Sequence, residues 1–255
     1  MKWFISLLIT FLLVSCASFP IMHYATAQNV PLFSQKNDFR VSVATGSEKF
    51  GIQGAYAFSN SLAVLGSYSY GMNDVFLYTD NLNINNGNRW NSEFAFGYFY
   101  AIDPYVSLEL YGGAERYHRD YSVENLSGYE VPNSIFSTNF TKLFVQFDLG
   151  FPNEGNHCLG ISAKFGYLIY DHYSLMVNTG QNYWIPYTNY VNNATIFEPC
   201  ITYRLGGRRL SFQAQIGYSF TKSEKYALYV GGNSSDYPFF VNVGLTLRLF
   251  NHKEE

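Results

Sequence analysis

The sequence predicts an all-β protein, an antiparallel transmembrane β-barrel of about ten strands, with eight as the alternative. Three observations predict it. Apolar and polar side chains alternate along many segments, which in a strand sends them to opposite faces. Many of these segments exceed the roughly five or six residues of a soluble strand and reach the nine to eleven or so that cross a bilayer when tilted. Tight turns alternate with long polar connections, short at one end of the strands and long at the other. Composition agrees: charged residues are 14%, against about 25% in an ordinary soluble domain. Aromatic residues are 19%, from Tyr 23, Phe 23 and Trp 3. A net charge of -3 excludes a strongly basic nucleic-acid binder. Cys 3 excludes a disulfide scaffold, and 47% hydrophobic content excludes a disordered chain.

Taken in order, the chain begins with Lys2 and an apolar run from Trp3 to Val14. That run is too short for a spanning helix, which needs about twenty residues, and has the form of a secretory signal over residues 1–15. Leu13-Val14-Ser15-Cys16 resembles the lipobox of bacterial lipoproteins. The resemblance implies a lipid on Cys16 as the first mature residue, with residues 16–37 as an irregular tether. A second reading is ordinary signal-peptidase cleavage after Ala25-Thr26-Ala27.

The barrel is expected over residues 38–250, with a short tail at 251–255. Strands are read near Asp38–Thr45, Phe50–Phe58, Leu62–Met72, Trp90–Ala101, Tyr105–Tyr117, Asn139–Phe151, Leu159–Asp171 and Thr195–Leu205. The last two alternate most clearly. Leu210, Phe212, Ala214, Ile216, Tyr218 and Phe220 share one face, as do Phe239, Val241, Val243, Leu245, Leu247 and Leu249. Ser59–Ser61, Ile102–Pro104, Pro152–His157 and Gly206–Arg208 read as turns. Asn73–Arg89, His118–Thr138, Tyr173–Ala194 and Lys222–Asp236 read as outer loops, with Asn83–Gly87 as a loop tip. An even strand count puts both chain ends on the periplasmic side.

Asn242-x-Gly244-x-x-Leu247-x-Leu249, followed by Phe250, resembles the signal read by the bacterial outer-membrane assembly machinery. Residues 29–250 resemble the superfamily of small outer-membrane β-barrel proteins, in particular those of the Bacteroidota type. Asn29-Val30-Pro31-Leu32-Phe33 and Gln53-Gly54-Ala55-Tyr56-Ala57 carry that likeness. It implies fold and outer-membrane location, and no particular activity, because the superfamily hosts pores, adhesins, enzymes and scaffolds.

With the apolar face toward lipid, the lumen receives Arg40, Glu93, Glu109, Glu115, Asp148, Lys164, Glu198, Arg204 and Arg248. Acids and bases in a confined lumen should pair, so this set reads as a packed polar core. An ion or solute pathway is the alternative, disfavoured because open aqueous channels normally need sixteen or more strands. Arg40 and Arg248 should meet where the barrel closes. A rim hydrolase is the second alternative. It would use His118 beside Asp120 or His172 beside Asp171, a loose likeness to the outer-membrane aspartyl-type proteases; Ser122 suggests an esterase version. The dispersed histidines, and Cys158 and Cys200 without zinc spacing, predict no metal and no cofactor. No disulfide is expected between those cysteines. The Tyr173, Tyr183, Trp184, Tyr187 and Tyr190 cluster could take an extracellular glycan or protein ligand, or pack as an interfacial girdle. The expected function is therefore a non-enzymatic outer-membrane barrel lipoprotein with a structural or surface-binding role. Its partners are outer-membrane lipid and the assembly machinery, and no nucleic acid.

Overall fold

The computed structural model describes residues 26–46, 50–71, 82–103, 105–125, 134–152, 157–178, 184–186, 193–207, 209–223 and 239–249. Twelve strands follow one another with no helix among the described residues: β1 (Phe39–Gly46), β2 (Phe50–Ala57), β3 (Leu62–Gly71), β4 (Leu82–Asp103), β5 (Val106–Asn125), β6 (Ser134–Pro152), β7 (His157–Asn178), β8 (Trp184–Pro186), β9 (Ala194–Gly206), β10 (Leu210–Tyr218), β11 (Phe220–Ser223) and β12 (Phe239–Leu249). Each pairs antiparallel with its neighbours. β12 pairs with β1, and β7 pairs with β9, so the sheet closes. β11 continues β10 past Ser219 and pairs with β9, while β8 adds to the outer end of β7. The wall is thus a closed barrel of ten antiparallel strands.

The alternation sets the two faces. Outward on β4 stand Phe94, Phe96 and Tyr98, with Leu143, Val145 and Phe147 on β6 and Leu245, Leu247 and Leu249 on β12; all are exposed. An exposed apolar surface encircling a protein is unstable in water and fits the hydrocarbon of a membrane. Tyr56, Tyr98, Tyr100, Tyr105 and Tyr203 edge the band near the turns, and Tyr68, Trp90 and Tyr167 lie toward the loops.

The barrel is lopsided. β1 and β2 have 8 residues each, whereas β4 and β7 have 22. The long strands carry their ladder past the apolar band. Asn83–Gly87, expected as a loop tip, therefore lies within β4, where Asn86 pairs with Tyr121 before a register shift. The expected loops His118–Thr138 and Tyr173–Ala194 are likewise strand as far as Asn125 and Asn178. Polar composition misleads there, because ladder hydrogen bonds join main chains and do not require apolar side chains.

The interior holds a feature that strand alternation does not describe. Residues 26–33, irregular in conformation, lie inside the barrel, with Gln28, Asn29, Val30, Leu32 and Phe33 buried; Ser34 to Asn37 are exposed before Asp38 is buried again just before β1. The sequence reading made this stretch part of a tether. It enters at the turn end beside the start of β1 and climbs the lumen toward the loop end as the chain is followed back to Thr26.

Candidate functional site

The lumen is where the charged residues converge, and it has three layers. The lowest, at the turn end, surrounds the inner segment. Six consecutive carbonyls of that segment accept hydrogen bonds from the wall. Gln53 Nε2 donates to Ala27 O at 3.0 Å, Gln215 Nε2 to Gln28 O at 2.7 Å and Gln146 Nε2 to Asn29 O at 2.8 Å. Arg204 donates to Val30 O and, at 3.0 Å, to Pro31 O. Arg40 donates to Pro31 O and, at 2.8 Å, to Leu32 O. In return Phe33 N donates to Glu109 Oε1 at 2.5 Å, and Asn29 Nδ2 to Gly54 O at 2.9 Å. An irregular segment has no ladder of its own, so burial requires that the wall supply these partners. Donors on β1, β2, β6, β9 and β10 do so from all round the barrel.

Side chains of the segment have prepared seats. Phe33 packs among Ala55, Ala57, Ala63, Ala95 and Phe99, and lies under the Arg40 guanidinium, 5.5 Å from its ring centroid. Val30 and Leu32 rest on Gly150 and Gly160, which face each other across β6 and β7. A Cβ on Gly150 would come within 2.7 Å of Leu32 Cδ2, and one on Gly160 within 3.4 Å of Val30 Cγ1. Leu32 itself has φ 58, a left-handed backbone unusual for Leu. It is tolerated because Arg40 and Glu109 hold the main chain on both sides.

Arg40 and Arg248 are direct partners across β1 and β12. Their bridge is Asp38, just before β1, at 2.9 Å from Arg40 and 2.6 Å from Arg248. Burial alone would push the Asp38 carboxyl up, but the two guanidiniums outweigh it and hold it below the usual carboxylate range. Asp38 is thus a fixed anion at the seam.

The middle layer is built from side chains alone. Lys142 lies 2.5 Å from Glu115 and 3.0 Å from Glu198, and Lys164 lies 2.7 Å from Glu93 and over the Phe144 ring. Asn91 Nδ2 adds a bond to Glu115. Asp148 accepts from Gln146. Nearer the loop end, Tyr117 stacks on Phe140 at 4.5 Å, with Leu168, Ala194 and Ile196 beside them. Buried Arg89 and Arg119 pair across β4 and β5 beyond that. Among the described residues the buried acids are Asp38, Glu93, Glu109, Glu115, Asp148 and Glu198. The buried bases are Arg40, Arg89, Arg119, Lys142, Lys164 and Arg204, six of each kind.

All nine lumen residues named from the sequence therefore stand inside the wall, Arg248 half-buried at the seam. Sequence reasoning missed Asp38, Arg89, Arg119, Lys142 and the inner segment. Lys142 is in phase with Asp148 on β6 and could have been found by the same alternation. The inner segment had a fainter signal, the small residues Ala55, Ala57, Ala63 and Ala95 on one lumen face.

The rim residues lie elsewhere. His118 and Asp120 sit on the outer face of β5. His118 Nε2 is 3.0 Å from Asp120, Nδ1 is 2.8 Å from Asn139, and the ring stacks on Trp90. Asp171 engages Arg116 and Thr141 on the same outer face. His172 lies on β7; its side chain and that of Ser122 are outside the described residues, as is everything at Cys16, Tyr183, Tyr187, Tyr190 and Phe250. Tyr173 and Trp184 are placed only as strand positions. On β12, Asn242 pairs with Gly46 and Gly244 with Ala44, and Leu247 and Leu249 face outward. Cys158 and Cys200 are free thiols.

The closed ten-strand wall has counterparts among solved structures. The outer membrane protease OmpT from Escherichia coli matches with a TM-score of 0.59 at 8% identity, over 88% of this chain and 99% of its own. This chain has the fold of an outer-membrane β-barrel. The translocator domain of the autotransporter NalP from Neisseria meningitidis matches with a TM-score of 0.45 at 12% identity, over 83% of this chain and 87% of its own. LpxR from Salmonella typhimurium matches at 0.36 and 8% identity, over 82% and 99%. No family model and no curated protein matches the sequence.

Proposed function

We propose that the protein is an outer-membrane β-barrel with a closed lumen and a structural or surface-binding role, and that it is not an enzyme. The observation that carries this reading is the grip of the wall on the inner segment. A solute pathway needs a continuous wet passage, and here the lower lumen is occupied by the chain's own backbone, with Arg40 and Arg204 bonded to its carbonyls. Above it the lysines are engaged by Glu93, Glu115 and Glu198. Charges committed in this way serve packing rather than transport.

The short turns belong on the periplasmic side and the long extensions of β4–β7 on the outside. The extensions hold polar strand clear of the membrane, and the Tyr173–Tyr190 stretch, tyrosines among small polar residues, has the composition that suits contact with a glycan or protein. The His118–Asp120 pair, stacked on Trp90 and facing away from the lumen, serves as an interfacial anchor. Outer-membrane lipid covers the apolar band, and the assembly machinery reads Asn242, Gly244, Leu247 and Leu249 in the last strand, with Phe250 next in sequence. No cofactor enters this reading. Of the two mature starts read from the sequence, Cys16 as a lipoprotein and Gln28, the second fits the lumen better, because Gln28 is already seated there on Ser162 and Glu198.

Planar-bilayer recording tests the proposal. Protein whose folding is verified by heat-shifted gel mobility is expected to give no steady single-channel current. Steady, salt-dependent conductance would overturn the closed-lumen reading and make the lumen charges a pathway.

A further inference from the structure

We propose that the export signal is removed between Ala27 and Gln28, and that the new amino terminus stays inside the barrel as the upper end of a built-in plug. Signal-peptidase hydrolysis of this bond adds hydroxyl to the Ala27 carbonyl carbon and hydrogen to the Gln28 nitrogen. Ala25-Thr26-Ala27 supplies the small side chains such a peptidase accepts.

The direction of the inner segment carries the argument. From Asp38 at the seam, the chain followed backward passes through exposed Asn37 to Ser34, enters the lumen at Phe33 and climbs away from the turn end until Gln28 lies among Ser162, Glu198 and Gln215. A lipidated Cys16 in the periplasmic leaflet would require the preceding residues to turn inside the lumen and descend beside the segment. The Gly150–Gly160 seat and the Phe33 pocket along that path are already filled by Val30, Leu32 and Phe33. An exit through the loop end would have to pass the Lys142 and Lys164 ion pairs and then the Tyr117–Phe140 stack. A chain that starts at Gln28 does neither.

Cleavage there keeps five of the six gripped carbonyls and loses only the bond from Gln53 to Ala27 O. The Gln28 side chain is already seated. Its Nε2 donates to Glu198 O at 2.7 Å, and its Oε1 accepts from Ser162 at 2.5 Å. The neighbouring layer holds three carboxylates, Glu93, Glu115 and Glu198, against two lysines, with Arg89 and Arg119 farther toward the loops. A new ammonium at Gln28 therefore meets a locally negative layer.

The experiment is an intact-mass measurement on protein expressed from the full sequence in a bacterium and purified from its outer membrane. The expected mass is that of residues 28–255, with the Gln28 ammonium and side-chain amide intact. A mass beginning at Cys16 with attached acyl chains overturns the proposal, as does any other start. Two variants sharpen the result. Cys16→Ser should leave mass and membrane yield unchanged, and a loss of processing in this variant would also overturn the proposal. Ala27→Arg should accumulate the uncleaved precursor, and processing that continues unaltered contradicts the assigned bond.

Discussion

The lower and middle layers of the lumen solve one problem in different ways. In both, ionised groups are buried and must find partners, because an uncompensated charge in a low-dielectric interior is costly. The middle layer pairs side chain with side chain across strands, Lys142 with Glu115 and Glu198, and Lys164 with Glu93. The lower layer pairs Arg40 and Arg204 largely with main-chain carbonyls of an inserted segment. The middle layer is therefore complete as soon as the wall closes. The lower layer is complete only when residues 28–33 are in place. Stability in the one, and closure in the other, should be separable.

Lys142→Met attacks the middle layer alone and should have the largest effect. It removes the cation between two buried carboxylates, a loss of about 3–5 kcal/mol, read as a shift in urea unfolding of protein refolded into bilayers. Conductance should stay at zero, because the segment below is untouched. Adding Glu115→Gln and Glu198→Gln should recover most of the loss; no recovery would mean that Lys142 acts by packing. Gly150→Val attacks the lower layer, its Cβ crowding Ser107 on β5 and Leu32 in its seat. Overpacking of this kind costs about 1–3 kcal/mol, and here the wall also pushes the segment aside, so current should appear. A silent Gly150→Val barrel of unchanged stability would mean that the seat is empty.

Ser162→Ala is milder. It deletes the hydroxyl bonded to Gln28 Oε1 and should cost about 0.5–1.5 kcal/mol, without opening the barrel. Smallest of all is Asp171→Asn on the outer face, which breaks a half-exposed pair with Arg116. Such pairs are worth at most about 1 kcal/mol, and a larger shift in the unfolding midpoint would show that the outer rim has more structural weight than the lumen argument gives it.

The same contrast explains what could be read from the sequence. Alternation along Leu210–Tyr218 and Phe239–Leu249 is a local property, since each side chain's face follows from its neighbours. It therefore identified the ten wall strands and the faces of Glu93, Asp148 and Lys164. Lys142 obeys the same rule, in phase with Asp148 along β6. The length of β4 did not follow, because the main-chain pairing of Asn83–Glu124 and Asn86–Tyr121 leaves no apolar mark. Residues 28–33 were read as tether because their structure depends on groups far away in the chain. Gln146 on Asn29 O and Gln215 on Gln28 O are separated from their partners by 117 and 187 positions. No local pattern encodes such contacts, and only the small lumen face of Ala55, Ala57, Ala63 and Ala95 hinted at a guest.

The central claim is that the chain closes its own barrel from within, and cysteine labelling tests it most directly. Val30 is fully buried in the lumen, and Val30→Cys changes its size little. In a background with Cys16, Cys158 and Cys200 replaced by Ser, this variant is folded in bilayers and treated with a water-soluble maleimide. The account predicts that the thiol stays unmodified until the barrel is denatured, and that adding Gly150→Val makes it reactive in the folded state. Rapid, complete modification of folded Val30→Cys without the second change would contradict it.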